Sequence, residues 1–138
     1  MDKQEKIDQI NYNSKNTIIS VLGIEITDLG ENFISGKMPV DKRTKQPFGL
    51  LHGGASVVLA ETLGSIGGLS AVDDINKTVV GIAINANHLK PVTNGWVFGT
   101  ATSIQIGKRM QVWEIRITNE NKELICISRL TLAVVIKK

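Results

Sequence analysis

Cysteine is almost absent from this sequence. Cys126 stands alone, so no intrachain disulfide can form, and its apolar strand-like surroundings read as a buried structural thiol. Aromatic residues are scarce too, at 4% of the 138 residues, so the core must be built mainly from Ile, Val, Leu and Ala. Net charge is modest: +3, from 16 Lys and Arg against 13 Asp and Glu, which suits a small polyanion at least as well as DNA. No dense basic helix, zinc-finger spacing or aromatic-basic strand motif occurs, so no nucleic acid partner is expected. No segment approaches the roughly 20 apolar residues that cross a bilayer, and membrane insertion is not expected either. The opening residues, MDKQEKIDQI, are charged throughout and lack a signal-peptide core, which makes the cytoplasm the expected compartment. The sequon at Asn76 presupposes secretion and is read as idle.

What is present is apolar material, 42% of the chain, in a length typical of one domain; residues 1–138 read as a single unit. Positions 1–22 predict an N-terminal segment of one or two short helices, with Asn11 and Asn13 interrupting the pattern. Residues 23–40 predict a β-hairpin that turns at Gly30 and ends at Pro39. A polar loop follows over 40–49. Residues 50–72 are almost uniformly apolar and free of proline, too long for an ordinary strand, and predict a helix beginning near Gly53. Gly64, Gly67 and Gly68 oppose this, each by about 1 kcal/mol relative to Ala. Ala60 and Gly64 would instead offer a small-residue face for close approach. So apolar a helix is expected to be buried nearly all round, by a sheet wrapped about it or by a partner subunit. Strands are predicted at 78–89, 95–106, 111–118 and 124–136, with successive strands forming a meander. The class is α+β.

Glu61 is the only charged residue between Leu51 and Val72. A carboxylate on a core-bound helix must be paired, neutral or functional, and burial would favour a raised pKa useful to a general base. At the helix start, His52-Gly53-Gly54 joins an ionisable ring to two residues whose backbone N–H groups are unshielded. Such groups lack intrahelical partners and can stabilise an oxyanion, though a plain turn would also use glycine. Gly53 and Glu61 are eight residues apart, about 12 Å of helix, beyond the reach of one glutamate side chain. Two antiparallel copies could combine them, each giving its helix start to one site and its Glu61 to the other. Ser65 shares the face of Glu61.

Other chemistries fit poorly. There is no G-x-S-x-G elbow, no Walker A loop around Gly107 and Lys108, and no zinc motif at His52 or His88, so no metal is expected.

The run MPVDKRTKQPFGLLHGGASVVLAETLGS resembles the signature of hotdog-fold acyl-CoA thioesterases. So do GIAINANHLKP, IGKRMQVWEI and CISRLTLAVV further on. Within that family it looks most like the 1,4-dihydroxy-2-naphthoyl-CoA thioesterases of menaquinone synthesis, in the 4-hydroxybenzoyl-CoA thioesterase-like group. The resemblance implies a hotdog fold, a long central helix wrapped by an antiparallel β-sheet, in homodimers that also pair into tetramers. It implies Glu61 as nucleophile or general base and the Gly53 N–H on the thioester oxygen. His52 and Gln46 would orient thioester or water, with Ser65 lining the site across the interface. No cofactor is required, coenzyme A being part of the substrate. Gly81, His88, Lys90 and the segment Gln105, Ile106, Gly107, Lys108, Arg109 and Met110 match the coenzyme A tunnel. Relatives often carry Arg at the position of Lys90; lysine keeps the charge and loses the bidentate fork. Three alternatives stay open: a broad-specificity acyl-CoA thioesterase, a hotdog dehydratase or hydratase, and a non-catalytic acyl-CoA-binding protein. The missing HFPG loop disfavours the second, and the intact set Gln46, His52, Gly53 and Glu61 the third.

Overall fold

Local capping starts the first two helices of the structure, a computed structural model describing all 138 residues. Asp2 accepts the Glu5 N–H at the head of α1 (Lys3–Asn13), and Thr17 caps the short α2 (Ile18–Val21). The break between them follows Asn13, so Asn11 does not interrupt the helix as its type suggested. Its carboxamide instead accepts the Ile26 N–H and donates to Ile26 O, imitating a neighbouring strand along β1 (Glu25–Leu29).

The remaining elements are β2 (Phe33–Pro39), α3 (Gly53–Ser70), β3 (Lys77–His88), β4 (Trp96–Ile106), β5 (Met110–Thr118) and β6 (Leu124–Ile136). Their limits fall within two residues of expectation. All six strands form one antiparallel sheet in the order β1-β2-β4-β5-β6-β3. β4, β5 and β6 are the expected meander. β3 passes over it to pair with β6 and leaves its other edge open, with Val80 and Ile82 47% and 57% exposed. α3 packs against β2 through β6, so the sheet wraps the helix: the fold is α+β, of hotdog type.

Within one chain the sheet buries one side of α3 and leaves the other partly covered. Ala55, Leu59, Ala60, Leu63, Gly64, Gly67 and Gly68 are buried on the sheet. Val57, Val58, Thr62 and Ile66, on the other side, are only partly covered. The glycines that weakened the helix reading are explained by this packing. A Cβ on Gly68 would fall 2.3 Å from Leu132 Cδ1 and 2.7 Å from Gln111 Oε1. Gln111, 1% exposed, donates to Gly68 O and accepts from Trp113 Nε1, so helix and sheet are joined through a buried amide. No helix is long and apolar enough to cross a membrane.

Candidate active site

The loop between β2 and α3 is tied down by its backbone. Thr44, 2% exposed, donates its hydroxyl to Pro39 O, and its carbonyl accepts the His52 N–H. Residues 46–50 form a tight turn in which Gly49 takes φ +82 and Gln46 N–H bonds Leu50 O. Gln46 Oε1 accepts the Phe48 N–H at 2.5 Å and, more weakly, the Leu50 N–H at 3.5 Å. With its oxygen engaged, the carboxamide presents its NH2 as a donor.

His52 caps α3. Its Nδ1 accepts the Gly54 N–H at 2.8 Å, so the neutral ring carries its proton on Nε2 and offers a second donor. His52 O accepts the N–H groups of Ala55 and Ser56. Of the four N–H groups that open the helix, that of Gly53 alone has no acceptor in the protein, at the positive end of an 18-residue helix.

A pocket of about 340 Å³ lies beside this donor, lined by Gln46, Gly53, Ser56, His88, Lys90 and neighbouring apolar side chains. A Cβ on Gly53 would fall 2.9 Å from His88 Nε2, so the imidazole can lie over the helix start only because residue 53 is glycine. Ser56, 1% exposed, is a lining residue that sequence reading missed; its only signal was a small polar residue one turn into an apolar helix. Lys90 is not the free cation that its position suggested, because Glu123 Oε2 lies 2.5 Å from its Nζ. Cys126 is buried, and burial pushes its thiol up, as suits an inert core residue. A larger cavity of about 950 Å³ lies under α1 at the far end of α3 and includes Ile106 alone of the predicted residues.

Glu61 is outside the 340 Å³ pocket. It sits half-buried on the partly covered side of α3, not on a core-bound surface, and Ser65 shares that side. Its carboxylate forms no ion pair; it lies against β3, where a Cβ on Gly81 would fall 2.7 Å from Oε2. Gly81 and His88 both face the helix although seven residues apart, because the ladder to β6 shifts between Gly81 and Ala83 and Ile82 bulges out. Six regular strand steps then separate them, about 20 Å at 3.3 Å each.

The segment from Gln105 to Met110 belongs to the Glu61 end. Met110 pairs with Ala133, and Ala133 with Val80, next to Gly81. Lys108 and Arg109 are exposed at that turn and in no ion pair. The predicted residues therefore fall into two groups. Gln46, His52, Gly53, His88 and Lys90 gather hydrogen-bond donors and a cation. Glu61, Ser65, Gly81 and the 105–110 turn gather a carboxylate, a hydroxyl and two free cations. Donors that polarise a carbonyl stand in one group, and the group that could attack it or activate water stands in the other.

Comparison with known proteins agrees with this chemistry. The sequence profile of the thioesterase superfamily matches residues 48–126. A crystal structure of a thioesterase from Haemophilus influenzae superimposes with a TM-score of 0.91 at 52% identity, covering 94% of this chain and 90% of that one. A mutant thioesterase from Pseudomonas aeruginosa gives a TM-score of 0.93 at 44% identity, covering 95% and 94% of the two chains. The 1,4-dihydroxy-2-naphthoyl-CoA hydrolase of Escherichia coli is 44% identical over 128 residues, 93% of each chain.

Proposed function

The chain belongs to the thioesterase superfamily and hydrolyses thioesters, and on that premise we propose that its substrate is an aromatic acyl-CoA cleaved in a site shared by two copies. The acyl groups that fit this reading are 1,4-dihydroxy-2-naphthoyl first and benzoyl-type groups next. The Escherichia coli hydrolase, similar over nearly the whole chain, supports the first.

The observation that carries the shared site is the separation of the unpaired Gly53 N–H from Glu61, which lie beside β3 residues about 20 Å apart. The open edge of β3 supplies the remedy. An antiparallel pairing with the same edge of a second copy, about a two-fold axis near Asn85, sets the partner's Gly81 opposite His88. The partner's Glu61 then stands by the Gly53 N–H, and the partner's Lys108 and Arg109 come to the end that holds Lys90. Two equivalent sites result.

In each, the Gly53 N–H donates a hydrogen bond to the thioester oxygen and stabilises the negative charge that develops there. The amide of Gln46 and the Nε2–H of His52 are the further donors available to orient thioester or water. The partner's Glu61 either attacks the carbonyl carbon, giving a mixed anhydride that water then hydrolyses to free the acid and restore the carboxylate, or takes a proton from a water that attacks directly. The carbon–sulfur bond breaks and the thiolate is protonated, so one water and one thioester give one acid and one thiol.

A thiol-release assay over aromatic and aliphatic acyl-CoAs tests the reading, with Glu61→Ala and Glu61→Gln beside the unaltered protein. Aromatic thioesters should be cleaved fastest, and both variants should lose at least about 100-fold in kcat. Release from no acyl-CoA would overturn the substrate; full activity in both variants would overturn the role of Glu61.

A further inference from the structure

Glu123 stands in the turn between β5 and β6, and its carboxylate is held from two sides. Oε2 lies 2.5 Å from Lys90 Nζ, and Oε1 accepts from Asn119 Nδ2 at 3.0 Å. Asn119 Oδ1 accepts the Glu123 N–H at 2.9 Å, so the turn fixes the residue's backbone as well as its head group. The Lys90 ammonium and then the Asn119 amide hold the Glu123 carboxyl below its ordinary range. Glu123 is therefore charged at every pH where the protein would be assayed. Lys90 meanwhile belongs to the wall of the pocket that contains Gln46, Gly53 and His88, while Glu123 does not. The one cation this chain gives that pocket is thus neutralised by a carboxylate standing just outside it.

We propose that Glu123 is a specificity-determining residue that masks Lys90 from weak anions and yields it to a phosphate of the substrate. The inference rests on the acyl-CoA reading given above. Both side chains are about half exposed, 51% for Lys90 and 44% for Glu123. An exposed ion pair of this kind is weak enough to exchange partners. The exchange favours one class of anion. A free carboxylate, such as the acid product, brings a single charge against a carboxylate that the turn already holds in place. A phosphate monoester brings nearly two charges and three strong acceptor oxygens. Phosphate therefore displaces Glu123 where the product acid does not, and a pocket that has just cleaved its substrate does not retain the acid at Lys90.

Steady-state kinetics of Glu123→Gln and Lys90→Gln, alone and combined, test this on an acyl-CoA and on the N-acetylcysteamine thioester of the same acid, which carries no phosphate. Glu123→Gln should lower KM for the acyl-CoA about fivefold, the worth of an exposed pair, with the change in KM rather than in kcat. The preference for acyl-CoA over the short thioester should rise by the same factor, and added salt should erase the gain. Lys90→Gln should raise KM for the acyl-CoA, and in that background the Glu123 substitution should no longer matter. An unchanged or higher KM in Glu123→Gln, with Lys90→Gln still weakening acyl-CoA binding, would overturn the mask and leave Lys90 as a phosphate contact. Equal effects of Lys90→Gln on both thioesters would overturn that contact as well. Cleavage of the short thioester without any cleavage of acyl-CoA would remove the substrate reading itself.

Discussion

One methyl group is enough to probe the carboxylate half of the site. On Gly81 it would fall 2.7 Å from Glu61 Oε2, and nothing but the Glu61 carboxylate stands within 4 Å of it. The obstruction is the tip of a flexible side chain, so the fold can accept Gly81→Ala while the carboxylate cannot keep its place. Activity should fall about 100-fold, the usual consequence of a displacement near 1 Å at a reacting centre. The thermal midpoint should stay close to that of the unaltered protein; unaltered kcat would show that the working position of Glu61 is not the one against Gly81. Ser128 is the opposite case, a residue with nothing to do. It is 3% exposed, faces the interior between Ala86 and Ile115, and its Oγ has no hydrogen-bond partner. A buried hydroxyl without a partner is a liability of about 1 to 3 kcal/mol. Ser128→Ala should raise stability by roughly 1 kcal/mol, seen as a higher urea midpoint with the same m value. A fall would mean that the hydroxyl is satisfied in solution.

α3 shows what could be read in advance and what could not. Its length, its limits near Gly53 and its catalytic candidates follow from apolar length, the absence of proline and the His52-Gly53-Gly54 start. Which side lies on the sheet did not follow, because a helix apolar on every side has no amphipathic pattern to orient it. Hence Glu61 was expected on a core-bound surface and is found on the partly covered one. The division into two halves was legible, because eight residues of helix already put Gly53 and Glu61 about 12 Å apart, but the strand that spaces them was hidden. Their spacing along it depends on the bulge at Ile82 and on β3 lying beyond β6, both products of long-range pairing. The pairing of Lys90 with Glu123, 33 residues away, has no local signal either. Glycine in α3 puts propensity and packing in direct opposition. An exposed Gly68→Ala would gain about 1 kcal/mol of helix propensity. Here the added methyl meets Leu132 at 2.3 Å and crowds the Gln111 amide that bonds Gly68 O and Trp113. Overpacking at such a site costs about 1 to 3 kcal/mol, so Gly68→Ala should destabilise the domain, with the loss visible in a lower denaturant midpoint. A gain would show that the helix shifts on the sheet without resistance.

At the scale of the whole molecule, two contacts within one chain prescribe how two chains must meet. Glu61 lies against Gly81, and Gly53 lies against His88, about 20 Å apart along a strand whose outer edge is unpaired. Counting the bulged Ile82 with Gly81 as one ladder step, the midpoint between these contacts is Asn85. Its side chain points away from the helix, since Ile84 and Ala86 on either side pack toward the core. On a two-fold axis Asn85 would face the partner's Asn85, with Cβ atoms about 4.5 to 5.5 Å apart, near the range that a disulfide can close. Asn85→Cys should therefore form a covalent dimer under mild oxidation that retains thioesterase activity. The unaltered protein should not, because Cys126, its only cysteine, is fully buried. The same substitution at Ala83 or Asn87, on the same outer face but off the axis, should cross-link poorly. Efficient cross-linking there in place of Asn85 would shift the register and move the partner's Glu61 away from Gly53. An active, uncross-linked monomer would remove the shared site altogether.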